Sequence, residues 1–247
     1  NLGAHYTSEK NILKVIRPLF LDELWGEFES LKGKKNELPR FHQKLSTLNF
    51  LDPACGCGNF LVITYRELRI LELDVLREIY KNQMVTDVES VIWINVDQFY
   101  GIEYEEFPAR IAEVAMWLID HQMNMLISYE FGQYFARLPL KKGAKIIHAN
   151  ALKIDWEDIV SKDKLSFIFG NPPFIGKSNQ NSEQKKDLEN VFSGIKAAGV
   201  VDYVAAWYVR AAQYIQNTKI KVAFVSTNSI VQGEQVGVLW DLLLIYY

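Results

Sequence analysis

The stretch Asn171-Pro172-Pro173-Phe174 carries the most specific chemistry in this sequence. Two consecutive prolines fix their own φ angles and bias the residues before them toward extended forms. Proline has no N–H, so the turn offers acceptors in preference to donors. The side-chain oxygen of Asn171 and the carbonyl of Pro172 make a stiff acceptor pair suited to an NH₂ group. Such bonds favour a pyramidal nitrogen with its lone pair aimed at an electrophile. They also stabilise positive charge growing on that nitrogen. Phe174 offers a face for a planar group to stack on. The plainer alternative is a proline turn that ends a strand, with Phe174 in the core.

A second constellation is Asp52-Pro53-Ala54-Cys55-Gly56-Cys57-Gly58-Asn59-Phe60. Its glycines let the backbone approach a ligand closely, and the following helix would present free N–H groups to a carboxylate or phosphate. The dinucleotide fingerprint fits poorly, because Leu61 stands where a third small residue belongs. A plain turn is the alternative. Glu103, in Gly101-Ile102-Glu103-Tyr104, sits where a carboxylate can accept from both hydroxyls of a ribose. Its distance from Gly58 is more than twice the roughly 20 residues of the usual fingerprint, because a long helical stretch over 65–95 intervenes. A surface glutamate is the other reading. Asn150, followed by Ala151, could pair with an adenine edge or could simply shape a loop.

These residues need strand ends to hold them. Leu13, Ile16, Phe20 and Leu24 recur at helical spacing after Thr7-Ser8, and Lys32 to Asn36 reads as a loop. Strands are expected at Leu48–Asp52, Gln98–Tyr104, Lys145–Ala151, Leu165–Gly170 and Lys221–Thr227. Helices are expected at Phe60–Tyr80, Phe107–Leu126, Tyr203–Ile215 and Glu234–Leu244. The Phe107–Leu126 helix shows Ile111, Val114, Leu118 and Met125 on one side. Residues 175–199 are polar and read as a mobile loop, with Glu183-Gln184-Lys185 a solvated part of it. Strands alternating with helices give a doubly wound, mostly parallel α/β sheet, with ligands at the carboxyl ends of the strands.

Composition bounds the rest. The chain has 247 residues, 49% of them hydrophobic and 13% aromatic, which excludes bulk disorder. It has no apolar run of about 18 residues and no signal-peptide layout, so a cytoplasmic protein without a membrane span is expected. Cys55 and Cys57 are the two cysteines, which excludes a disulfide framework and a multi-cysteine zinc site. No metal is expected. A net charge of −3 argues against tight, free-standing DNA binding.

Taken together, Asp52 to Gly58 and Asn171 to Phe174, in that order, resemble the motifs of class I S-adenosylmethionine-dependent DNA adenine-N6 methyltransferases, which have a Rossmann-like fold. Gly3-Ala4-His5-Tyr6-Thr7 resembles the cofactor motif that precedes the glycine loop in the gamma-type order. With Phe224 to Gln235, it makes the likeness greatest to the methyltransferase segment of MmeI-like type II restriction–modification enzymes. The likeness runs from Gly3 to Gln235. It implies a cofactor site of His5, Tyr6, Thr7, Asp52, Pro53, Ala54, Cys55, Gly56, Asn59, Phe60, Glu103, Tyr104, Asn150 and Ala151. Tyr6 and Thr7 would contact the methionine part, Glu103 the ribose and Asn150 the adenine. It also implies that Asn171, Pro172 and Pro173 present the target amine while Phe174 stacks on an adenine flipped out of double-stranded DNA. The cysteines would be small loop residues and not nucleophiles.

Residues 1–46 are expected as a helical lead-in carrying a cofactor motif, and 47–247 as the α/β core of a single methyltransferase domain. The family's sheet ordinarily has seven strands, a further base-stacking hairpin and a target-recognition region. Five strands are read here, so a C-terminally truncated domain is expected, without target-recognition or nuclease domains. The non-methionine start and the apolar Leu242 to Tyr247 end point the same way. Two alternatives share the turn or the fold: a protein-glutamine N5 methyltransferase, and a cofactor-binding scaffold without catalysis. Lys177, Lys185, Lys186 and Lys196 are expected either to order against DNA phosphates or to form a solvated surface.

Overall fold

The computed structural model describes residues 7–81, 85, 87–132, 143–192, 199, 201–232 and 235–246. A helical run opens the chain. It consists of α1 (Glu9–Ile16), a π-helical turn (Arg17–Leu21) containing Pro18, and α2 (Asp22–Leu31). Then follow α3 (Leu38–Thr47), β1 (Phe50–Asp52), α4 (Asn59–Ile79), α5 (Val88–Val91) and β2 (Phe99–Glu103). The remainder is α6 (Glu106–Phe131), β3 (Lys145–His148), β4 (Phe167–Gly170), α7 (Ser182–Val191), α8 (Ala205–Tyr214), β5 (Lys221–Phe224) and α9 (Gln235–Tyr246).

Among the described residues, five strands form one sheet in the order β3-β2-β1-β4-β5, and every pairing is parallel. Both faces are covered, which explains the unbroken apolar runs. Phe50, Phe99 and Phe169 pack toward α1, α3, α4 and α6. Their neighbours Leu51, Ile102 and Ile168 pack toward α7, α8 and α9, against Leu188, Trp207, Val209 and Leu239. The expected doubly wound α/β architecture is the one observed. From β1 the chain builds outward to β2 and β3, then crosses back to β4. The order reverses between β1 and β4, where such sheets open a ligand crevice.

Two expectations require correction. The apolar stripe on α6 faces outward: Val114, Leu118 and Met125 are exposed. The buried side carries Ala109, Ala112, Met116, Ile119, Met123 and Ile127, together with Asp120 and Asn124. Those two polar residues disguised it. They belong to a buried network in which Arg69 of α4 donates to Asn124 at 2.9 Å and pairs with Asp120 at 3.2 Å. The second correction concerns 175–199. Residues 182–191 are helix α7, capped by Asn181, whose Oδ1 accepts from the Gln184 N–H at 2.9 Å while Gln184 returns a bond to the Asn181 N–H. Reciprocal capping stabilises a helix start even in a charged segment. Lys196 lies outside the described residues. No helix among the described residues is long and apolar enough to cross a membrane.

Candidate functional site

The crevice at the sheet reversal is a cleft of about 650 Å³, a size suited to a cofactor. Its floor is the end of β1. Asp52 is buried, and its Oδ1 accepts from the Ala54 N–H at 3.0 Å. Burial pushes its carboxyl up to about 8, and the nearby Glu103 adds to the rise against the Ala54 bond. The turn then runs through Gly56 and Gly58, whose φ angles of 55° and 85° are left-handed. Glycine adopts that region without strain. Gly58 also abuts α6, where an added Cβ would lie 3.1 Å from the Cβ of Ala112.

Main-chain N–H groups of this turn tie it to β2, one to a carbonyl and one to a side-chain carboxylate. The Cys55 N–H donates to the Ile102 carbonyl at 3.0 Å, and the Gly56 N–H donates to Glu103 Oε2 at 2.8 Å. Glu103 Oε1 accepts from the Glu105 N–H at 2.9 Å. Gly101 makes the close approach possible, since a Cβ there would meet Cys55 Sγ at 2.8 Å. Burial pushes both thiols up, Cys55 well above the ordinary cysteine value. Neither is primed as a thiolate.

On the other side of the cleft stands Asn171, just past β4. Its Nδ2 donates to Thr7 Oγ1 at 2.9 Å. That bond fixes which end of the amide faces inward. Asn171 Oδ1 is buried and accepts no hydrogen bond. Gly170 brings β4 close to β1, because a Cβ there would collide with Asp52 Oδ1.

Most of the predicted residues meet here. Thr7, Asp52, Pro53, Ala54, Cys55, Gly56, Asn59 and Phe60 line the cleft, with Glu103, Tyr104, Asn150, Ala151, Asn171 and Pro173. Pro172 is buried and Phe174 half-buried, and neither lines it. His5 and Tyr6 lie outside the described residues. The Asn150 amide is engaged at both ends: its Oδ1 accepts from the Leu152 N–H at 2.9 Å and its Nδ2 donates to Asp187 Oδ2 at 2.9 Å.

Sequence reasoning missed the wall made by α7 and α8. Asp187, Gln184, Tyr203 and Trp207 line the cleft. The Trp207 indole N–H donates to the Pro53 carbonyl at 3.0 Å, clamping α8 to the glycine turn. Asn181-x-x-Gln184 was the available signal for this wall. Glu183, expected in a solvated loop, lines the cleft from α7 and pairs with Lys153 at 2.8 Å.

Comparison with known proteins agrees with this geometry. The chain is 65% identical to a solved structure of the Type IIL restriction–modification enzyme MmeI in complex with DNA. That match has a TM-score of 0.97 and covers all of this chain and 33% of that one. It is 40% identical over 243 residues to DNA methyltransferase A of Bacillus subtilis (strain 168), covering 97% of this chain and 27% of that protein. The DrdV–DNA complex shares the fold at 17% identity and a TM-score of 0.51, covering 94% of this chain and 21% of that one. The chain thus spans about a third or less of the length of these relatives. The family model for the DNA-methyltransferase domain of MmeI matches residues 28–246, and the chain belongs to that family.

Proposed function

We propose that this chain transfers a methyl group from S-adenosylmethionine to the exocyclic N6 of an adenine flipped out of double-stranded DNA. It would do so as the modification unit of a restriction–modification protein, in the cytoplasm. One observation carries the reading. Asn171 holds a buried acceptor with no donor, in the same cleft as the glycine turn and Glu103. An incoming amine is the donor it lacks.

The residues present fit the cofactor. The left-handed glycine turn makes room for its main body. The first turn of α4, at Asn59 and Phe60, lines the cleft and favours a carboxylate there. Glu103 supplies acceptors for ribose hydroxyls, and Asp52 lies at the amino-acid end. When bound, S-adenosylmethionine supplies an electrophilic methyl on a sulfonium.

The chain's own part in the reaction is to hold and polarise the amine. Asn171 Oδ1 and the Pro172 carbonyl each accept one N–H. That orients the nitrogen lone pair and stabilises the positive charge that grows during attack. Thr7 keeps the Asn171 amide from rotating its NH₂ toward the substrate. Phe174, one residue beyond Pro173, stacks on the extruded base. Lys177, Lys185 and Lys186 are exposed beside this wall, available to DNA phosphates. The names of the relatives support DNA as the substrate over a protein glutamine.

The test uses labelled S-adenosylmethionine and duplex DNA, with N6-methyladenine as the readout. Wild type should form it, and Asn171→Ala should form it about 10²–10³-fold more slowly while still binding the cofactor. Methylation of a protein glutamine, or equal DNA activity in both forms, would refute the reading.

A further inference from the structure

We propose that Asp187 recognises the exocyclic amine of the cofactor's adenine ring, an inference that rests on the S-adenosylmethionine reading above. The turn just past β3, at Asn150 and Ala151, lines the cleft next to the β2 end that carries Glu103. Asn150 is the expected adenine partner there, but both ends of its amide are already bonded within the protein. Its Nδ2 bond leads directly to Asp187.

Asp187 lines the cleft from α7 and is 2% exposed. Asn150 Nδ2 at 2.9 Å and the Tyr203 hydroxyl at 3.1 Å both donate to its Oδ2. They pin the carboxylate so that it cannot turn away. Its Oδ1 is buried and accepts no hydrogen bond. The Lys153 ammonium forms an ion pair with that oxygen, but at a long 3.4 Å, and sits closer to Glu183 at 2.8 Å. A buried carboxylate oxygen with only a long ion pair still favours a closer donor. Adenine presents an amine at C6, which supplies that donor. Hypoxanthine presents an oxygen at the same place and would face the carboxylate acceptor to acceptor. Asn150 is then a positioning residue that aims Asp187.

Calorimetric titration of the 247-residue chain with S-adenosylhomocysteine and S-inosylhomocysteine reads this directly. Wild type should bind the adenosyl compound at least ~30-fold more tightly, as expected for a hydrogen bond to a charged group. Asp187→Asn can turn an N–H toward the inosyl oxygen, and should narrow that ratio about tenfold or more. Tyr203→Phe keeps Oδ1 in place and should retain most of the preference. An unchanged ratio in Asp187→Asn, or equal binding of both compounds by wild type, overturns the assignment alone. Binding of neither compound by wild type overturns the cofactor reading, and the assignment with it. Should Asp187→Asn fail to melt cooperatively, the purine analogue lacking the C6 amine decides on wild type. A roughly tenfold weaker affinity for it supports the assignment, and equal affinity overturns it.

Discussion

The two walls of the cleft are built on opposite principles. Main chain makes the glycine wall, from β1 and β2: left-handed Gly56 and Gly58, and amides bonded to Glu103 and Ile102. Side chains make the facing wall, from β4 and α7, and each of its two carriers leaves one buried oxygen without a hydrogen bond, at Asn171 and Asp187. A wall whose backbone N–H groups are already bonded within the protein fixes shape. Open acceptors remain a demand for a donor, and so select what binds. Damage to the first wall should therefore appear mainly as lost stability, and damage to the second as lost chemistry.

Asn171→Ala is the sharpest test of that division. Losing one preorganised acceptor should lower the methylation rate about 10²–10³-fold, or roughly 3–4 kcal/mol in the barrier. Affinity for S-adenosylhomocysteine and the melting temperature should stay close to wild type. Single-turnover methylation and calorimetry read the two quantities separately. A large fall in stability would break the comparison, because it would make Asn171 part of the scaffold.

Gly58→Ala makes the opposite prediction. It forces a side chain into φ 85° and presses a Cβ against Ala112 at 3.1 Å. The expected loss is about 1–3 kcal/mol of folding stability, read by urea denaturation. A variant as stable as wild type would show that this turn relaxes freely, and that shape here is not set by backbone.

Asp52 lies under both walls, and its proton makes the comparison depend on pH. Its folded value of about 8 is well above the ordinary carboxylate range because of burial. The folded form therefore holds a proton that the unfolded chain releases. Stability from this group is full below the unfolded pKa of about 4, and is lost as the pH rises toward 8. The slope should approach 1.4 kcal/mol per pH unit at its steepest, about one proton's worth. Asp52→Asn should flatten it. Denaturant midpoints taken from pH 4 to 8 would show this, and identical slopes in the two proteins would rule it out.

The same division explains what the sequence revealed. Positions that only glycine or proline satisfies announce themselves, so Gly56, Gly58 and Pro172-Pro173 located the crevice, and the alternating elements located the sheet. The runs at β1 and β4 were legible because parallel strands are buried on both faces. The α7 wall was hidden. Its exposed positions are densely charged, and its buried positions include Gln184 and Asp187 beside Leu188 and Val191. Apolar periodicity cannot find a face whose buried residues are polar. The same limit reversed the reading of α6, where Asp120 and Asn124 sit inside. Thr7 was expected at a cofactor, yet its bond to Asn171 joins residues far apart in sequence and could be seen only in three dimensions.

The smallest expected effect tests whether α7 matters as a helix or only as a carrier of Asp187. Asn181 caps it, and the exchange of bonds with Gln184 ties its first turn together. Asn181→Ala should cost about 1 kcal/mol. Because Gln184 and Asp187 both line the cleft, fraying of this turn should reach the selective wall and leave the glycine wall intact. Hydrogen exchange should therefore quicken at residues 182–188 and stay unchanged at 54–60. Affinity for S-adenosylhomocysteine should weaken by less than tenfold, since Asn150 and Tyr203 still hold Asp187 from outside the helix. Faster exchange spreading through the glycine turn would mean that the two walls fold as one unit, joined through the Trp207 bond to Pro53, and that the contrast between them is chemical and not mechanical.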